Sequence, residues 1–183
     1  SVMAGELARE LELRSGGRRP YLVAARFARK YVDVHRSIED GALPGDDACG
    51  NARRLYEMYH GAIGELVEEM RREYAPAGII VLDMHGHALR DEARTVFIGT
   101  RNGRTVRSRA ALYAADGVLG LLAQHMAERG LGAVRPASAA AREEQFTGGF
   151  TVERWGQHCT GIDAVPLSQD GSGDTLESND PVM

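Results

Sequence analysis

Three short stretches of this 183-residue chain combine residue types that do chemistry. The first is Leu82-Asp83-Met84-His85-Gly86-His87, in which two histidines stand two apart behind an apolar run. A neutral imidazole is a good metal ligand, and a carboxylate such as Asp83 orients it through the second ring nitrogen. Gly86 lets the backbone turn sharply beside a ligand. The plainer alternative is a turn carrying two solvated histidines. The second stretch is Val32-Asp33-Val34-His35-Arg36. A guanidinium is a planar fork that grips carboxylates bidentately; the plainer alternative is an ion pair of Arg36 with Asp33 or Glu39. The third is Thr147-Gly148-Gly149-Phe150-Thr151, where paired glycines before a helical turn can turn backbone N–H groups toward an anion. The plainer alternative, which the residues alone favour, is a simple flexible loop. His60 falls inside a helical pattern, and His125 and His158 have no evident partner. No GxSxG elbow and no phosphate-binding glycine loop is present, so serine hydrolysis and nucleotide binding find little support.

Elements able to position these groups follow from periodicity. Residues 2–14 read as a helix, ended by Ser-Gly-Gly. Residues 20–25 read as a buried strand, with a short extended stretch over 29–34. Residues 37–50 form a polar loop, and loops of such length inside a domain tend to be functional. Residues 51–74 carry apolar side chains at three- and four-residue steps (Leu55, Met58, Tyr59, Ile63, Leu66, Val67, Met70), which predicts a long helix. The continuous apolar run over 78–84 predicts a central strand covered on both faces. Residues 95–100 predict a second strand, joined through Asn102-Gly103 to an extended 105–107. A long helix over 108–129 follows, then a short strand at 132–135, a loop over 137–149, a helical turn at 151–155 and a last strand over 162–167. The polar stretch 168–183 is expected to be disordered. Strands alternating with long helices imply an α/β fold, a mostly parallel or mixed sheet with helices on both faces. Sites in such sheets gather at carboxyl ends of strands, here after Val32, Leu82 and Val165.

One domain over 1–167 fits the length, and 43% hydrophobic residues suffice for a core. The net charge of −4 argues against nucleic acid as the default partner. No apolar run is long enough for a membrane span. Two cysteines, Cys49 and Cys159, form no CxxC pair, which points to a reduced, cytoplasmic setting.

Taken in order, these stretches resemble the N-formylglutamate amidohydrolase family, related to the zinc carboxypeptidases. The run from Tyr21 to Ser37, with Asp33-Val34-His35-Arg36, resembles the family segment ending in Asp-x-Asn-Arg. Tyr59-His60 is similar to its Tyr-His pair, and Leu82-Asp83-Met84-His85-Gly86-His87 to its Leu-Asp-x-His segment. Phe97-Ile98-Gly99-Thr100 resembles its Ile-Gly-Thr strand end. Gly148-Gly149-Phe150-Thr151, Trp155-Gly156 and Gly161-Ile162-Asp163-Ala164 are similar to its Gly-Gly-Tyr/Phe, Tyr-Gly and Gly-Ile-x-Ala run. The resemblance implies a zinc-carboxypeptidase-like fold and hydrolysis of the amide of an N-acyl amino acid, with a zinc-activated water as nucleophile. It implies His85 as a zinc ligand, Arg36 and Asp83 as catalytic residues, and Arg36, His35, His87, Gly148 and Gly149 as substrate contacts. It also implies that the family's other two zinc ligands, a His and a Glu, would precede residue 1, so the chain is expected to lack the N-terminal part of the family domain. The family's general-base Glu corresponds to Ser168, and its Asn to His35.

Three readings remain open at this point. A working zinc enzyme would complete its site with His35, His85, His87 and an acid such as Glu143, Glu144 or Glu153. A truncated, inactive relative would bind a carboxylate ligand through Arg36. An interaction domain would have no small-molecule site at all.

Overall fold

The computed structural model describes residues 2–42, 50–74, 78–85, 95–130, 132–144, 146–156 and 160–165. Helices α1 (Val2–Arg14), α2 (Ile38–Gly41) and α3 (Asn51–Tyr74) precede strand β1 (Ile80–Met84). Strand β2 (Thr95–Gly99), helices α4 (Arg109–Tyr113) and α5 (Val118–Glu128), strand β3 (Ala133–Arg135), helix α6 (Phe150–Gly156) and strand β4 (Thr160–Val165) follow. The strands form one sheet in the order β1-β4-β2-β3. β1 runs parallel to β4 and β2 parallel to β3, while β2 and β4 are antiparallel. The fold is α/β with a mixed sheet. No helix among the described residues is long and apolar enough to cross a membrane.

The long helix α3 keeps the bounds its periodicity gave it, but its buried stripe is Tyr56, His60, Ile63 and Val67, spaced four, three and four apart. Met58, counted in the apolar face from sequence, is 60% exposed. The stripe includes an imidazole, and a buried imidazole is tolerable once both ring nitrogens have partners.

The strand expected to be central is not. β1 is an edge of the described sheet, and Ile80 and Leu82 are 46% and 43% exposed. Only Asp83 on it is buried. β2 has the two-sided cover instead. Ile98 packs with Leu119 and Met126 of α5 and Val134 of β3. Phe97, on the other side of the pleat, lies 5.0 Å from the Phe146 ring. A continuous apolar run reports hydrophobicity, not how many layers cover it.

Residues 20–25 are not a strand. They pair with no ladder among the described residues and are mostly exposed, and the Tyr21 hydroxyl donates to Glu69 on α3 at 3.0 Å. Residues 29–34 form turns rather than an extended stretch, and 105–107 form no strand beyond Asn102-Gly103. There Arg101, Asn102 and Gly103 all take positive φ (52°, 54° and 94°), a left-handed turn instead of a hairpin. The helix expected over 108–129 is broken. Ala114 and Gly117 both adopt ψ 157°, outside the helical region, and separate α4 from α5. Asp116-Gly117 between them favours a turn over helix. The tail 168–183, Pro166 and Leu167 of the expected last strand, and Cys49, Cys159 and His158 lie outside the described residues.

A second core joins the loop after α1 to α3: Val32, Val34 and Tyr56 are buried together, with Phe27, Tyr59 and Phe150 against them. This packing brings residues 32–36 to the end of β1.

Candidate functional site

Asp33 organises the loop that carries His35 and Arg36. One oxygen, Oδ1, accepts the His35 backbone N–H at 3.1 Å, closing an Asx-type turn. The other, Oδ2, accepts Arg29 Nε at 3.1 Å and pairs with Arg36 Nε at 3.0 Å. The Tyr56 hydroxyl donates to the Arg36 carbonyl at 2.7 Å and ties the loop to α3. The Arg36 side chain is 63% exposed. The ion pair with Asp33 anticipated as the plain alternative exists.

His35 meets Asp83 across 48 residues. Its Nδ1 lies 3.1 Å from Asp83 Oδ2, and its ring centroid 4.7 Å from that of His85. The two stretches picked out by residue type, each just past an apolar run, thus meet at one end of β1. Burial alone would pull the His35 pKa down, but the hydrogen bond to Asp83 and its charge outweigh this and raise it. Burial likewise pushes Asp83 up, yet the hydrogen bond to His35, the charges of His35 and His85 and the nearby Thr151 hydroxyl hold its pKa below the usual carboxylate range. The two directions agree: imidazolium and carboxylate stabilise each other as a nearly buried pair. The Tyr59 phenol is pushed upward by burial and by the Asp83 charge, so it remains a neutral hydroxyl near the pair.

The glycine loop packs onto this pair. Gly148 adopts φ 104°, and its N lies only 2.3 Å from where a Cβ on Gly99 would stand. Only a glycine at the end of β2 admits the loop so closely. Gly149 sits against the His35 backbone, and the Phe150 N–H donates to the His35 carbonyl at 2.8 Å. The loop therefore positions His35, a role not foreseen for it. The Thr151 hydroxyl donates to the Val34 carbonyl at 3.3 Å, holding the same segment from α6.

His60 belongs to the scaffold. It is 1% exposed. Its Nε2 lies 3.1 Å from the Val34 carbonyl and its Nδ1 3.3 Å from Trp155 Nε1. An indole N–H only donates and a carbonyl only accepts, so Nε2 carries the proton and Nδ1 is bare. Burial, with Arg154 adding to it, lowers the pKa to about 4. The Trp155 ring centroid lies 6.5 Å from that of His60, with the planes 28° apart. The sequence hinted at this pair only through the periodicity that puts His60 on α3.

The acids considered as further ligands lie elsewhere. Glu143 is buried and holds the left-handed turn: Oε2 accepts Thr100 N at 2.9 Å and Asn102 N at 2.8 Å, and Oε1 accepts the Thr100 hydroxyl. Glu153 pairs with Arg101 at 2.5 Å. Glu144 is exposed. Their carboxylates are thus spent on the turn, on Arg101 and on solvent. His87 lies outside the described residues. Among the described residues no group of three or more His, Cys, Asp or Glu converges as a metal site. His35 and His85 are two imidazole donors with one orienting carboxylate, whereas stable zinc sites use three or four ligands. These side chains alone do not make up a zinc site. No family model matches the chain, and no curated protein and no solved structure matches it.

Proposed function

We propose that the chain is a hydrolase of the N-formylglutamate amidohydrolase type, with a zinc-carboxypeptidase-like fold, that acts on the amide of an N-acyl amino acid. The observation carrying this reading is the convergence of His35, Asp83 and His85 from two separate stretches, with Nδ1–Oδ2 at 3.1 Å and the imidazoles 4.7 Å apart. Asp83 engages Nδ1, so His35 has its proton-handling nitrogen at Nε2. The raised pKa favours a proton on that nitrogen. It is suited to hydrogen-bond the scissile carbonyl oxygen or to protonate the departing amine. Arg36, largely exposed and braced by Asp33, would take the substrate's carboxylate. The family's zinc would supply an acidified water. The described donors are too few to hold it.

The test is release of formate and free amino acid from N-formylglutamate by zinc-reconstituted protein. Turnover that disappears in His35→Gln and a raised KM in Arg36→Ala are expected. Absence of turnover on N-acyl amino acids despite stoichiometric zinc refutes the reading. A second reading, a non-catalytic carboxylate binder, is favoured by the shortfall of metal donors among the described residues. It predicts ligand binding that is lost in Arg36→Ala, with no hydrolysis by any form of the protein.

A further inference from the structure

Away from the histidine pair, a cavity of about 490 Å³ opens beside the left-handed turn. Four arginines line it, Arg101, Arg104, Arg109 and Arg142, together with Asn102 and Thr147. The whole chain carries a net charge of −4, so this concentration of cations runs against the protein's balance. Two of the four are braced from behind. Arg101 Nη2 pairs with Glu153 at 2.5 Å. Arg109 Nη2 donates to the Ala141 carbonyl at 2.8 Å and lies 3.7 Å from Glu143. Among the described residues, four guanidiniums against two carboxylates leave two positive charges on the wall.

The braced arginines also keep unused donors. Arg101 Nε and Arg109 Nε are buried without a hydrogen-bond partner of their own among the described residues, and Arg109 also lies beside the Tyr113 ring and hydroxyl. Buried donors are normally satisfied, so such atoms on the wall of a cavity ask for a ligand. The wall is rigidly built. Glu143 locks the turn through Thr100 and Asn102, and the Glu143 N–H donates back to the Asn102 side chain at 3.0 Å. Arg101 and Asn102 hold positive φ, which non-glycine residues adopt rarely and keep only where surroundings dictate it. The Arg101 N–H is fixed to the Thr147 carbonyl at 2.5 Å, which closes the cavity's other side.

We propose that this cavity binds a phosphate-bearing small molecule. A single carboxylate uses one guanidinium fork, whereas a phosphate offers three acceptor oxygens and up to two charges to several forks at once. The surplus of two charges matches a phosphate dianion. The volume falls in the range of small-ligand pockets. Arg104 and Arg142 are exposed and supply the forks that close on the ligand; Arg101 and Arg109 form the fixed floor.

Inorganic pyrophosphate is the probe, titrated calorimetrically at constant ionic strength, with succinate as the dicarboxylate comparison. Saturable one-to-one binding tighter than that of succinate is expected. Each lost charged hydrogen-bonding group weakens binding about tenfold, so Arg104→Ala with Arg142→Ala should weaken it about a hundredfold. Both side chains are exposed, so the variant's melting temperature should match the wild type and exclude unfolding as the cause. Arg36→Ala should leave pyrophosphate binding unaltered, which separates this cavity from the site of the proposed hydrolysis. Succinate binding as tightly as pyrophosphate, or a double variant that binds like the wild type, overturns the proposal.

Discussion

Acidification should destabilise the protein through His60 well before its carboxylates protonate. His60 is 1% exposed and uses both ring nitrogens, accepting from Trp155 and donating to the Val34 carbonyl. A second proton would face the indole N–H and charge a ring packed among Tyr56, Phe150 and Trp155. The folded pKa is accordingly depressed to about 4, against 6.5 in the unfolded chain. Between those values the unfolded state binds a proton that the native state refuses. Stability therefore rises with pH across the window and falls on acidification. The full gap corresponds to about 3 kcal/mol, and about 2 kcal/mol of it is lost between pH 7 and pH 5. That is a sizeable share of a typical domain's 5–15 kcal/mol. Urea unfolding at pH 7, 6 and 5, with His60 followed by NMR through its Cε1 proton, measures both quantities. His60→Gln should flatten the stability profile between pH 5 and 7. A His60 signal that titrates near 6.5, or wild-type stability unchanged down to pH 5, would refute the reasoning.

Gly64→Ala should destabilise the fold although alanine is the better helix former by about 1 kcal/mol. Its Cβ would stand 2.7 Å from the Trp155 ring, which the bond to His60 holds in place, so a net loss of about 1–3 kcal/mol is expected by denaturant unfolding. Glu143→Gln should cost about 3 kcal/mol, because an amide cannot accept from Thr100 N, Asn102 N and the Thr100 hydroxyl together and leaves Arg109 without its counter-charge; stability equal to wild type would contradict this. Asp83→Asn should lower the His35 pKa, since it removes the charge that outweighs burial. The pair's contribution is present below the unfolded histidine pKa and is lost as pH rises through the raised folded value. The variant should thus lack a decline in stability on the alkaline side that the wild type shows, as pH-dependent unfolding would reveal.

Much of the scaffold was legible from local pattern. α3 was bounded correctly because twenty-four residues of amphipathic spacing outweigh any local exception. Periodicity placed β2, β3 and α6 to within a residue or two. It failed where a residue's state depends on its neighbours in space. The run over 78–84 looked doubly covered, yet β1 is an edge in the described sheet. The apolar stretch over 20–25 looked like a strand, but no partner ladder stands beside it. The helix over 108–129 kept its pattern through Ala114–Gly117, where the backbone nevertheless leaves the helix.

The sequence by itself determined which residues were chemically able: an imidazole and a carboxylate two apart in Asp83-Met84-His85, and a histidine next to an arginine in His35-Arg36. It also showed that both groups follow apolar runs. Only the tertiary structure decided that Asp83 hydrogen-bonds His35, 48 residues away. The same holds for Glu143, which is buried under the turn after β2, and for four arginines gathered around one cavity. The physical reason is common to these cases. Backbone periodicity records which face of an element is apolar, whereas charge pairing and pKa depend on which elements pack together and how deeply they exclude water.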